Sequence, residues 1–146
     1  MADPKPFNPL EKRNLAASIA EALLEADPVP LDGVPRFRGA GVYAIYYTGP
    51  RPAYAPLAEA NRDGRWWAPI YVGKAIRRGG RKGVDVLDDA EGGPKGTELH
   101  SRLREHADSV KTAPSLSIDD FHCRFLVVDE IWIPLGENLL ISRFMP

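Results

Sequence analysis

A single cysteine, Cys123, in 146 residues rules out an internal disulfide. No run approaches the ~20 apolar residues that a membrane span needs. The acidic, proline-bearing N-terminus also lacks the basic and apolar regions of a signal peptide. A cytoplasmic location is the default. Neither sign of charge is in excess, with 19 basic against 20 acidic residues. Composition alone therefore does not announce a nucleic-acid binder. Several catalytic patterns are missing too. Lys74 follows Gly73, but no Ser or Thr comes after it and no glycine stands five residues before, which excludes a Walker loop. His100, His122 and one cysteine give no zinc spacing. His106, Asp108 and Ser109 lie too close on one helix to form a hydrolase triad. No strand-borne acidic pair is followed by Glu-x-Lys.

What is present suits one domain with a modest core, 44% of its residues being apolar and 27% charged. The first nine residues contain three prolines and read as an extended arm. Asn8, Pro9 and Glu11 occupy cap, first-turn and N3 positions of a helix running to about Ala26, with Leu15, Ile19 and Leu23 on one face. The segment DPVPLDGVP breaks it. GVYAIYY (41–47) is a first strand. A linker with a short helical stretch, PLAEANRDG, leads to a second strand, WWAPIYVG, antiparallel to the first. A glycine- and charge-rich loop occupies 75–96; such loops inside compact domains are functional or disordered. A helix follows from about Thr97 to Lys111. FHCRFLVV then alternates Phe121, Cys123, Phe125 and Val127 as a half-buried strand does, and GENLLISRF is the last helix. The division is an N-terminal arm and helix over 1–39 and the domain proper over 40–146.

Charge is distributed unevenly. Residues 65–82 hold Arg65, Lys74, Arg77, Arg78, Arg81 and Lys82 with no acid among them, and Asp85, Asp88, Asp89 and Glu91 follow. Two solvated patches that neutralise each other would look like this. So would a basic loop that engages phosphates and is shielded by its acidic neighbour.

At about 100° per residue, Leu99, Leu103, His106 and Val110 form one stripe with Arg102 at its edge, while Arg104 points into solvent. A histidine on an apolar face is most often a satisfied core residue, but an arginine beside it needs an anionic partner. Glu137 shares a stripe with Leu140, Ile141 and Phe144. It suits a helix N-terminus, and it also suits a hard-oxygen ligand for Mg²⁺ or Mn²⁺ with waters completing the shell. Strand tyrosines commonly just pack. Tyr43 and Tyr71 differ because each neighbours a glycine, in Gly41-Val42-Tyr43 and Tyr71-Val72-Gly73. Free tyrosine ionises near pH 10, so a basic Tyr43 needs Lys74, Arg102 or a metal to favour phenolate.

GVY, YVG, Arg102, His106 and Glu137, in that order, resemble the motifs of the GIY-YIG nuclease family. The long linker, the long loop and VDEIWIPLGENLLISRF most resemble its Type II restriction endonucleases. The resemblance implies an α+β fold with a three-stranded antiparallel sheet flanked by helices, the N-terminal helix being an addition. It implies double-stranded DNA as the substrate, one Mg²⁺ or Mn²⁺ per site on Glu137, and a homodimer if the target is palindromic. Implied roles are Tyr43 as general base, Tyr71 and His106 in the proton network, Arg102 on the transition state and Lys74 near the nucleophile. Arg77, Arg78, Arg81 and Lys82 are the expected DNA contacts. One departure is visible. The family carries an asparagine shortly beyond the glutamate-bearing helix, whereas the sequence given ends at Pro146 and Asn138 lies about 100° around the helix from Glu137. The expectation is a shortened form with retained fold and weak or absent cleavage. The alternative is a DNA-binding module of this scaffold without turnover.

Overall fold

Strand β2 (Gly41–Tyr47) is buried along its whole length, and this explains its near-continuous apolar and aromatic sequence. Strands covered on both faces lose the apolar–polar alternation of half-exposed ones. The computed structural model describes residues 3–77 and 96–145. Within them the elements run α1 (Lys12–Glu25), β1 (Val29–Pro30), β2, α2 (Ala55–Asn61), β3 (Tyr71–Ala75), α3 (Glu98–Thr112), β4 (Phe121–Val127) and α4 (Ile133–Phe144). The sheet order is β1-β4-β2-β3, and every pairing is antiparallel.

Alternation along β2 sorts the core into two layers. Tyr43, Ile45 and Tyr47 face Leu99, Leu103 and Ala107 of α3, together with Leu31, Phe121 and Cys123. Val42, Ala44 and Tyr46 face Ala20 and Leu23 of α1 and Ile133 and Leu140 of α4. The mixed, antiparallel, helix-flanked architecture is as expected. No helix among the described residues is long and apolar enough to cross a membrane.

Several boundaries differ from the sequence reading. The sheet has a fourth strand, because Val29 and Pro30 pair with Cys123 and His122. Proline lacks the N–H a central strand needs, so it is tolerated at this outer position, and Leu31 N–H extends the pairing to the Phe121 carbonyl (3.0 Å). Helix α1 starts at Lys12 after Glu11. Asn8 instead closes the preceding turn, accepting Leu10 N–H on Oδ1 (3.0 Å). The buried face of α1 is Ala16, Ala20 and Leu23, with Leu15 and Ile19 at its margin. Helix α4 starts three residues before Gly136, at Ile133, with proline in its first turn. Glu137 is therefore inside the helix and not at its N-terminus.

The WWAPIYVG segment is strand only from Tyr71. Upstream, Asp63, Gly64 and Trp66 all have positive φ (60°, 76° and 51°). For a bulky residue such as Trp66 this conformation costs about 1–3 kcal/mol. The turn is held by Asn61, a fully buried polar side chain. Its Nδ2 donates to the Tyr47 and Ala68 carbonyls (3.0 and 2.8 Å), and its Oδ1 accepts Ala68 N–H (2.8 Å). Asn61→Leu strands three backbone groups. It should lower unfolding free energy by about 3 kcal/mol in urea titrations, and a loss under about 1 kcal/mol would mean the turn is held by something else.

Candidate active site

The β2–β3 register places Tyr43 opposite Gly73 and Ile45 opposite Tyr71. Tyr43, Gly73 and Tyr71 therefore share one face of the sheet. A side chain at position 73 would put its Cβ 2.8 Å from Tyr43 Oη and 2.9 Å from Tyr71 Cε1. Glycine is needed there so that the two rings can lie over the strand, 5.9 Å apart and 25° from parallel. Gly41 answers a different demand, because a Cβ there would run into the Leu126 carbonyl.

Helix α3 packs on the same face through Leu99, Leu103 and Ala107. Its register delivers His106 to the tyrosines, with Nε2 2.7 Å from Tyr43 Oη and the ring 4.8 Å from that of Tyr71. One turn earlier, Arg102 Nε donates to the same Tyr43 Oη (3.4 Å). Arg102 is otherwise exposed, with Tyr71 also within reach and Glu105 3.8 Å from its guanidinium. Arg104 is solvent-facing, as the wheel predicts.

Burial pushes the Tyr43 phenol up to about 12; the Arg102 hydrogen bond opposes the rise and Tyr71 adds to it. Burial also lowers His106 below its ordinary value, reinforced by the positive Arg102. Near neutral pH both groups are uncharged. With Arg102 donating to the phenol oxygen, the neutral pair is compatible with the phenol's proton on the line to His106 Nε2 and the histidine's own proton on Nδ1.

The second part of the site lies across the strand. Lys74 pairs with Val42 and so points to the α4 layer, where its Nζ lies 3.0 Å from Glu137 Oε1. The Glu137 side chain is 18% exposed. Helices α3 and α4 cover opposite faces, so Glu137 does not share a face with Arg102 and His106. Lys74 is likewise bonded to Glu137 and not to Tyr43. The two halves communicate around the outer strand through a cleft of about 440 Å³ lined by Lys74, Ala75, Ile76, Arg77, Glu98, Arg102 and Glu105.

Arg77 sits at the mouth of this cleft, its N–H donating to Glu130 Oε1 (3.0 Å). Sequence reasoning missed Glu130, which precedes α4 without any periodic signal. Arg78, Arg81 and Lys82 lie outside the described residues. Among the described residues no three His, Cys, Asp or Glu side chains gather as a metal cluster. A lone carboxylate already holding an ammonium cation nevertheless fits Mg²⁺, which keeps most of its own water.

Residues 35–146 match the family model described as the Eco29kI GIY-YIG domain. No curated protein matches the chain.

The electrostatics give a measurable sign. His106 should titrate below 6.5 by ¹H–¹⁵N NMR, and Arg102→Ala should raise its pKa part of the way back, since the arginine disfavours imidazolium. Arg104→Ala should leave it in place. Equal shifts from both variants would refute the assigned geometry.

Proposed function

The chain belongs to the Eco29kI GIY-YIG family of restriction endonucleases, and we propose that it is a metal-dependent endonuclease that hydrolyses phosphodiester bonds of double-stranded DNA. The observation that carries the reading is the 2.7 Å contact between Tyr43 Oη and His106 Nε2, with Arg102 on the same oxygen.

A phenol with a pKa pushed to about 12 is no reservoir of phenolate at neutral pH. It acts as a relay. As a water attacks phosphorus, Tyr43 Oη takes the water's proton while the phenol's own proton passes to His106 Nε2. No charge then has to be stored on a buried tyrosine. The P–O bond to the leaving strand breaks, and that oxygen takes a proton from solvent, leaving a phosphate end and a hydroxyl end. Tyr71 packs against both relay rings and fixes their orientation. The Arg102 guanidinium, anchored through Nε and open to the cleft, meets the extra negative charge on the non-bridging oxygens. Glu137 is the residue to hold Mg²⁺ or Mn²⁺, with Lys74 steadying its carboxylate. When bound, that ion supplies positive charge for the phosphate and the leaving oxygen. Arg77 and the basic residues that follow it in sequence are the proposed backbone contacts. A palindromic target would bring two copies together about a twofold axis.

Plasmid nicking in Mg²⁺, paired with a duplex-binding assay, tests this. Tyr43→Phe should slow cutting by about 10²-fold or more, and Glu137→Ala should abolish it; both should still bind DNA. Arg102→Ala should be crippling and Arg104→Ala neutral. The relay needs neutral His106, so the rate should fall with acid only below the ordinary histidine range. Cutting by Glu137→Ala at the parent rate would reduce the glutamate to a structural ion-pair partner.

A further inference from the structure

Two consecutive tryptophans on the β2–β3 connection face opposite ways. Trp66 turns in, meeting Tyr46 edge-on at 5.7 Å and His122 at 4.8 Å. Trp67 turns out and is 67% exposed. The reversal depends on positive φ at Trp66 (51°), a strained state for a bulky residue. The displayed indole is nonetheless held firmly. Trp67 N–H donates to the Ala60 carbonyl (3.3 Å), and Asn61 clamps Ala68 on both of its backbone groups. The Arg65 guanidinium lies over the indole at 5.4 Å, with Nη2 donating to the Glu59 carbonyl.

The inward packing of Trp66 and the Asn61 bonds offset the strain of the turn, but nothing inside the described fold covers the Trp67 indole. The position of that indole matters. Trp67 precedes Tyr71 by four residues on the outermost described strand, and Tyr71 is itself 40% exposed. The far end of the same strand opens into the cleft holding Lys74 and Arg102. The connection carries Arg51, Arg62 and Arg65 against Glu59 and Asp63, and Glu59 is already engaged by Arg62 at 3.3 Å. A fixed aromatic plate with a stacked cation suits the sugar faces beside a phosphate chain.

We propose that Trp67 and Arg65 form a second contact to duplex DNA beside the scissile phosphate, the indole against a deoxyribose face and the guanidinium on a backbone phosphate. This rests on the endonuclease reading. The test uses the full chain with Glu137→Ala to prevent cutting, and anisotropy of a fluorescein-labelled mixed-sequence duplex. Trp67→Ala should weaken binding roughly tenfold or more, with Trp67→Phe retaining most of the affinity. Arg65→Ala should reduce the slope of log K against log salt by about one. Thermal melting should be unchanged for all three; if Trp67→Ala melts early, Arg65→Ala decides by its salt slope. Parental affinity and salt slope in both variants would overturn this contact and leave the endonuclease reading standing. A chain that neither binds nor cuts duplex DNA would overturn both.

Discussion

Burial of β2 on both faces is the constraint from which the rest follows. A strand with both faces covered needs two helical layers, and its alternation decides which side chain goes to which layer. Tyr43 falls to the α3 side and Val42 to the α1–α4 side. The partner strand β3 inherits this division through its register, with Gly73 beneath Tyr43 and Lys74 beside Val42. Once that register is set, the chemical groups have no freedom over which face they occupy. A one-residue slip would carry Tyr43 out of reach of His106 and leave a lysine under the aromatic rings.

The consequence is a site built astride an outer strand, with different electrostatics on each side. On the α3 side the groups are buried and neutral, because burial raises the phenol and lowers the imidazole. Two neutral partners hold no resting charge for burial to penalise. On the α4 side the groups are charged and compensate one another, Lys74 against Glu137. That ion pair offsets the cost of half-burying the Glu137 carboxylate. Arg102 sits between these regimes, anchored on the neutral side and open to the cleft.

The parts of this arrangement that were legible in sequence are those fixed by local periodicity. The α3 stripe of Leu99, Leu103 and His106 repeats at helical spacing, so His106 contact with the sheet and Arg104 exposure followed from angle alone. The glycines of GVY and YVG could be singled out because each stands beside a tyrosine. The unreadable parts depend on which layer an element joins. Glu137 lies beside the buried face of Ile133, Gly136 and Leu140 in α4, with Ile141 of its expected stripe exposed, and spacing cannot say that α4 covers the opposite face from α3. Strand β1 is two residues long and carries no alternation. Positive φ at Trp66 leaves no compositional trace, since tryptophan is among the residues least suited to it.

A strand that is outermost among the described residues, as β3 is, is ordinarily a hazard, because unpaired N–H and C=O groups invite another chain. Here β3 is short, and polar or aromatic groups mark its exposed length. Tyr71 stands near the start and Lys74 near the end, and Arg77 beyond it is tied back by Glu130. Its upstream neighbour turns sharply at Trp66, which prevents the strand from extending into a longer pairing edge. The features that discourage strand addition are therefore the same ones that present aromatic and cationic groups along one line. A polyanion can use that line, whereas another β-strand finds few consecutive backbone partners on it. The short strand and the strained turn at its approach limit backbone pairing, while Gly73 on the same strand keeps room for the Tyr43 and Tyr71 rings.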